Sequence, residues 1–170
     1  MVVTMKRQKF NSFDPALLAW ACMEPTLQQI HGINPIVKSQ VLAQLTPGQQ
    51  ALFLFRVLHD HAGTSAADLY YWISFLLGES QTWSAIKAAL RYFGDDAMLQ
   101  LLEEIESVLE ARHHQGDAVQ PEVLPWDLDP KLLASLSPRN VTFQQVASIS
   151  LKLMGVYIRK HPSEFVLIED

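Results

Sequence analysis

The residues best able to do chemistry in this chain are His59, Asp60 and His61, three consecutive polar side chains that close an apolar run. Imidazole and carboxylate together suit several divalent metals and acid–base work near neutral pH. Residues two apart on a regular helix point in widely different directions, so both rings meet one ion only if the helix unwinds ahead of Gly63. The competing reading is a polar last turn, in which the two histidines complement the helix dipole and free carbonyls. His113 and His114, at the end of a second helix, admit the same two readings. The chain has no phosphate-binding glycine loop, nucleophile elbow, paired metal-binding cysteines or zinc-protease helix. A metal-dependent or small-molecule enzyme with its site near His59-Asp60-His61 therefore stands as the alternative. The leading expectation is a protein without catalytic residues, metal ligands or cofactor.

That leading expectation rests on acidic side chains. Between Gly94 and Pro130 stand Asp95, Asp96, Glu103, Glu104, Glu106, Glu110, Asp117, Glu122, Asp127 and Asp129, against the single base Arg112. The segment has a local formal charge of about −9, more negative than the −5 of the whole chain, so the remainder is net positive. At 100° per residue, Asp96, Glu103, Glu106 and Glu110 fall within a quarter-turn of one another, opposite Met98, Leu101, Ile105 and Val108. Such a ridge suits a basic protein partner, because complementary potential speeds encounter and fixes orientation. The alternative is a solvated helix face that only keeps the protein soluble.

Two other groups read as structural. Tyr70, Tyr71, Trp72 and Phe75 have no basic residue near them between Asp60 and Lys87, which a base-stacking platform needs, so they are expected to pack in or at the edge of the core. Cys22 lies between Ala21 and Met23 with no base at hand to stabilise a thiolate, and is expected to act as a small buried hydrophobe.

The elements that position these residues follow from caps and periodicity. Asp14-Pro15 opens a helix over Ala16 to Met23 that Pro25 ends or kinks. Pro35 starts a second, through Leu45. Thr46-Pro47 precedes a helix over Gln49 to Ala62, and Ser65 caps another over Ala66 to Leu77. Trp83, Ile86, Leu90 and Phe93 mark a helix closed by Gly94, and Asp95 or Asp96 caps the amphipathic acidic helix. Residues 115–129, with Gly116, Pro121 and Pro125, read as a long connection. Asp129-Pro130 opens a short helix ending near Ser137-Pro138, and a last helix runs from Thr142 to before Pro162. The expected fold is all-α, a single domain over 1–170 with about seven helices in a compact array. Residues 1–13 form an N-terminal arm and 163–170 a tail, whose apolar stretch Phe165 to Ile168 is able to dock as an extended segment. The helices Gln49 to Ala62 and Ala66 to Leu77, apolar on most sides, are expected at the centre, with the acidic helix outside.

Composition narrows the class further. With 49% hydrophobic and 18% charged residues, the 170-residue chain has the make-up of a packed domain rather than a disordered one. Net charge −5 and the lack of an arginine-rich segment argue against direct nucleic-acid binding. One cysteine excludes an intrachain disulfide and fits a reducing compartment. The N-terminus carries no convincing signal peptide, and the longest apolar stretches fall short of a membrane span, so a cytoplasmic protein of bacterial type is expected. Helical domains of this kind commonly pair through apolar faces, so a homodimer stays open.

From Leu45 to Leu109 the order of signals resembles a family of small bacterial helical proteins that includes a DNA-mimic protein. The likeness is carried by Leu45-Thr46-Pro47, by His61-Ala62-Gly63 ahead of Tyr70, Tyr71 and Trp72, by Ile86-Lys87-Ala88-Ala89-Leu90 with Phe93-Gly94, and by the acidic helix that follows. Where the family has an Asn-Gly-Gly-aromatic stretch, this chain has Ala62-Gly63-Thr64-Ser65 and then Asp68-Leu69-Tyr70. The resemblance implies an all-helical fold without catalytic residues. In the DNA-mimic member, acidic side chains stand in for phosphates to occupy a DNA-binding protein.

Overall fold

The computed structural model describes residues 3–114 and 130–170. The expected connection over 115–129 and the side chains of His113 and His114 lie outside the described residues. In chain order the elements are β1 (Val3–Lys6), α1 (Arg7–Ser12), α2 (Pro15–Ile30), α3 (Pro35–Leu42), α4 (Pro47–Ala62), α5 (Ala66–Gly78), α6 (Ser80–Phe93), α7 (Asp96–His114), α8 (Pro130–Lys160), a 3-10 turn (Pro162–Glu164) and β2 (Val166–Glu169). The fold is all-α and a single domain, with eight α-helices among the described residues.

The caps fall where side-chain chemistry puts them. Asp14 Oδ1 accepts from the Leu17 amide at 2.9 Å to open α2, and Asn34 Oδ1 accepts from the Ile36 amide at 2.8 Å to open α3. Thr46 and Gln49 form a reciprocal capping box at the start of α4. Ser65 Oγ accepts from the Asp68 amide at 3.1 Å to open α5. Gly94, in the left-handed region at φ 70°, ends α6, a conformation glycine adopts without strain. Asp95 is the residue that caps α7, its Oδ1 accepting from the Met98 amide at 3.2 Å.

Three expected helix ends are overturned. The helix opened by Pro35 stops at Leu42 rather than Leu45. Of the two outcomes expected at Pro25, an end or a kink, the end is excluded: Pro25 lies inside α2, which continues to Ile30 because Thr26 and Ile30 extend the buried face begun by Leu18, Ala19, Cys22 and Met23. Likewise no break occurs at Ser137-Pro138: one helix, α8, spans 31 residues. An interior proline removes one backbone hydrogen bond and crowds the preceding turn. Around Pro138, side chains take up neighbouring carbonyls: Ser135 Oγ donates to Leu132 O (2.7 Å), Ser137 Oγ to Leu133 O (2.8 Å) and Arg139 Nη1 to Ser135 O (2.8 Å). Leu132, Leu136, Asn140, Phe143, Ala147, Leu151, Met154 and Ile158 keep one buried stripe in phase across the proline.

In the core, α4 packs against α2, α5 and α6, while α5 lies among α4, α6, α7 and α8. Leu52, Phe55, Leu58, Leu69 and Ile73 are wholly buried, in keeping with the expected central pair. The most extensive packing, however, is between α2 and α8, so α8 shares the centre. Gly155 of α8 faces Pro15 of α2 so closely that a Cβ built on it would stand 1.7 Å from the Pro15 carbonyl oxygen.

The two ends of the chain meet. The tail docks in extended form, as expected, and the N-terminal arm supplies a partner strand that the sequence pattern did not announce. β1 and β2 pair in parallel, with Val3 opposite Val166 and Lys6 opposite Glu169. Phe165 is fully buried against Phe93 and Tyr157, and its carbonyl accepts from Gln49 Nε2 at 3.2 Å. Thr46 Oγ1 donates to Glu164 O at 2.6 Å, and the Glu164 carboxylate takes the hydroxyl of Tyr92. The hydroxyl pKa of Tyr92 is pushed up by burial and by its hydrogen bonds to Glu164 and Tyr157. No helix among the described residues is long and apolar enough to cross a membrane.

Candidate partner interface

Helix α7 is held on the body by Met98, Leu101, Leu102, Ile105 and Leu109, all buried. With that face fixed, the four carboxylates of the acidic ridge take different surroundings. Asp96 and Glu110 are exposed. Glu103 has half its side chain exposed and lies 3.6 Å from Arg91 Nη2 of α6. Glu106 sits at the edge of the apolar stripe, only 19% exposed. It accepts from Trp83 Nε1 at 2.9 Å and from Lys87 Nζ at 2.9 Å, so one carboxylate clamps α7 to two residues of α6. Glu104, off the ridge, accepts from Gln100 at 3.0 Å.

The ridge therefore divides by depth. Glu106, at the boundary of the stripe, is a hinge pin of the fold, while Asp96, Glu103 and Glu110 face outward. Removing the two sides has different consequences. Glu106→Ala leaves the Trp83 N–H and the Lys87 ammonium half-buried without their acceptor, and is expected to lower stability by about 1–3 kcal/mol. Glu103→Ala breaks only a surface ion pair and is expected to change stability by less than about 0.5 kcal/mol. Paired urea titrations of the two variants measure this difference.

The His59-Asp60-His61 cluster is pulled apart by the helix it ends. His59 Nδ1 lies 3.0 Å from Asp60 Oδ1 and its ring meets Trp20 edge-on, with centroids 5.5 Å apart. His61 turns the other way and stacks on Trp72 at 4.1 Å. His59 and Asp60 line an open cleft of about 550 Å³ whose other walls include Gly63, Phe143, Gln144 and Ser148; His61 does not. Among the described residues no group of three or more His, Cys, Asp or Glu side chains is placed to hold a metal ion.

Behind this cleft lies a residue that no sequence motif marks. Arg56, whose side chain is 2% exposed, stands 3.1 Å from the centroid of the Trp20 ring, 3.2 Å from Asp60 Oδ2 and 3.7 Å from Glu24 Oε2. Burial lowers its pKa, against the pull of Asp60 and Glu24. At Asp60, burial pushes the pKa up, but hydrogen bonds from His59 and Arg56 and their charges more than offset it and hold the carboxyl below 3.8. The readable signal was a lone arginine inside the apolar run Ala51 to Leu58, one turn before an aspartate.

The remaining candidates fall into the body. Tyr70 is buried, Tyr71 and Trp72 are half-buried and Phe75 is exposed at the end of an edge-on aromatic series. Cys22 is buried, and its thiol pKa is pushed up to about 12 by that burial.

No protein family, curated protein or solved structure matches this chain.

Proposed function

We propose that this chain is a non-enzymatic interaction module that presents Asp96, Glu103 and Glu110 of α7 to a basic protein partner. The observation that carries the reading is the division of the acidic helix: its apolar side and Glu106 are spent on the fold, and the three other ridge carboxylates are exposed. They belong to a segment of formal charge about −9, which sets up a local field that steers a cationic surface. The resemblance over Leu45 to Leu109 points the same way, toward a partner whose own ligand is anionic. A buried, unreactive Cys22 suits the reducing interior of a bacterial cell.

The test is affinity capture from a cell lysate with the native chain and with a variant carrying Asp96→Asn, Glu103→Gln and Glu110→Gln. The native chain retains a basic protein that elutes as salt rises, and the triple variant retains it at least about tenfold less. Equal retention by both chains removes the ridge from the interface.

A further inference from the structure

The cleft beside His59 and Asp60 has walls richer in hydrogen-bond acceptors than in donors. It lies between the end of α4, with the turn that follows, and the middle of α8, and has a volume of about 550 Å³. Among the described residues that line it, Asp60 carries the only formal charge.

Contacts already made set the polar groups as acceptors. Asp60 Oδ1 accepts from His59 Nδ1 at 3.0 Å and Oδ2 accepts from Arg56 Nη2 at 3.2 Å, which uses about two of the roughly four lone-pair sites of a carboxylate. With Nδ1 committed as the donor, the other ring nitrogen of neutral His59 is an acceptor. Ser148 Oγ spends its one proton on Gln144 O at 3.2 Å. Gln144 is held by its amide nitrogen, which donates to Gly63 O at 2.9 Å, and its side-chain oxygen is left to accept.

Charge has the matching sign. Two carboxylates, Asp60 and Glu24, share the single cation of Arg56, so the group keeps a net negative charge. Against the cost of burial, the hydrogen bonds from His59 and Arg56 hold Asp60 ionised, its carboxyl below the usual carboxylate range. Phe143 and Ala147, both buried, supply the apolar part of the lining.

We propose that this cleft binds a small organic cation, an alkylammonium or alkylguanidinium compound. Its N–H groups meet Asp60, His59 and Gln144, and its alkyl stem lies on Phe143 and Ala147. A charged donor on an ionised acceptor forms a hydrogen bond about twice as strong as a neutral pair, and an anion would meet the charge of Asp60 with no lining cation to offset it. An apolar wall with a few convergent polar groups is the common form of a small-molecule site. The site uses α4 and α8, and does not depend on the outward face of α7 binding a protein.

Titration of the full chain with butylguanidinium, followed by NMR at the His59 ring and the Gln144 side-chain amide, tests this. Both signals move to saturation, and butylurea, a neutral molecule of the same shape, binds at least about tenfold more weakly. Asp60→Asn lowers the affinity at least about tenfold. Because Asp60 also anchors Arg56, a second variant is needed: Ser148→Lys, at an exposed position of α8, sets a like charge at the cleft, keeps the helical circular dichroism spectrum and loses binding. Glu104→Gln, which removes an exposed acid of α7, binds as the native chain does and so separates this site from general attraction of cations to an acidic protein. No saturable shift at either residue, equal binding of butylurea, native affinity in Asp60→Asn or Ser148→Lys, or weakened binding in Glu104→Gln overturns the proposal.

Discussion

Replacing Gly155 with alanine lowers the stability of this protein by about 3 kcal/mol. Helix propensity alone predicts the opposite sign, since alanine in a helix interior is favoured over glycine by about 1 kcal/mol. The contact decides the matter. A Cβ at position 155 would lie 1.7 Å from the Pro15 carbonyl oxygen and 2.6 Å from Pro15 Cα, and both neighbours are backbone that cannot rotate away. To admit a methyl group, α2 must back off from α8 along the most extensive helix contact in the fold, uncovering part of a buried set that includes Leu18, Met23, Leu151 and Met154. Gly78, the last residue of α5, has nothing within 4 Å of the same construction, so Gly78→Ala serves as the control and is expected to shift stability by less than about 0.5 kcal/mol. Urea midpoints at a constant slope give both values. A Gly155→Ala chain as stable as the native one would mean that α2 and α8 do not meet there.

At Arg56 the largest effect depends on what replaces the side chain. Arg56→Ala opens a cavity against Trp20 and leaves Asp60 and Glu24 without their shared cation, and is expected to cost about 3 kcal/mol. Arg56→Met keeps most of the volume and removes a charge whose Nε and Nη1 have no hydrogen-bond partner among the described residues, so its stability is expected within about 1 kcal/mol of native or above it. Thermal or urea unfolding of the pair distinguishes a space-filling role from an electrostatic one. If methionine is as damaging as alanine, the cation itself holds α2 to α4.

Much of this architecture was legible because local chemistry sets it. Asp14, Thr46 and Ser65 each precede a helix and accept the amide that the helix leaves unpaired, and Gly94 stops α6 in the left-handed conformation it alone adopts easily. The prolines misled, because a proline counts as a stop only when tertiary packing does not continue the helix. Pro138 interrupts the hydrogen-bond ladder, but the buried stripe from Leu132 to Ile158 runs through it, and that stripe was present in the sequence as unbroken 3.6-residue spacing. The β1–β2 pair was hidden for another reason. Two four-residue strands separated by the whole chain have no local pattern strong enough to announce a partner.

The site was legible in outline only. Angular spacing placed Asp96, Glu103, Glu106 and Glu110 on one sector of α7, but it could not show that α6 approaches the Glu106 side of that sector with Trp83 and Lys87. Nor could the run His59-Asp60-His61 show that Trp72 draws His61 away from its neighbours, or that a buried arginine stands behind them. These outcomes depend on the packing of helices distant in sequence, which spacing within one helix does not encode.

The most direct measurement is carboxyl footprinting of the native chain with and without the captured partner. Carbodiimide labelling in the free protein should mark Asp96, Glu103, Glu104 and Glu110 readily and Glu106 weakly. Adding the partner should suppress labelling at Asp96, Glu103 and Glu110 while Glu104 stays as before. If the partner binds and labelling at those three carboxylates does not change, the interface lies elsewhere on the molecule and the outward face of α7 is only a solvated surface.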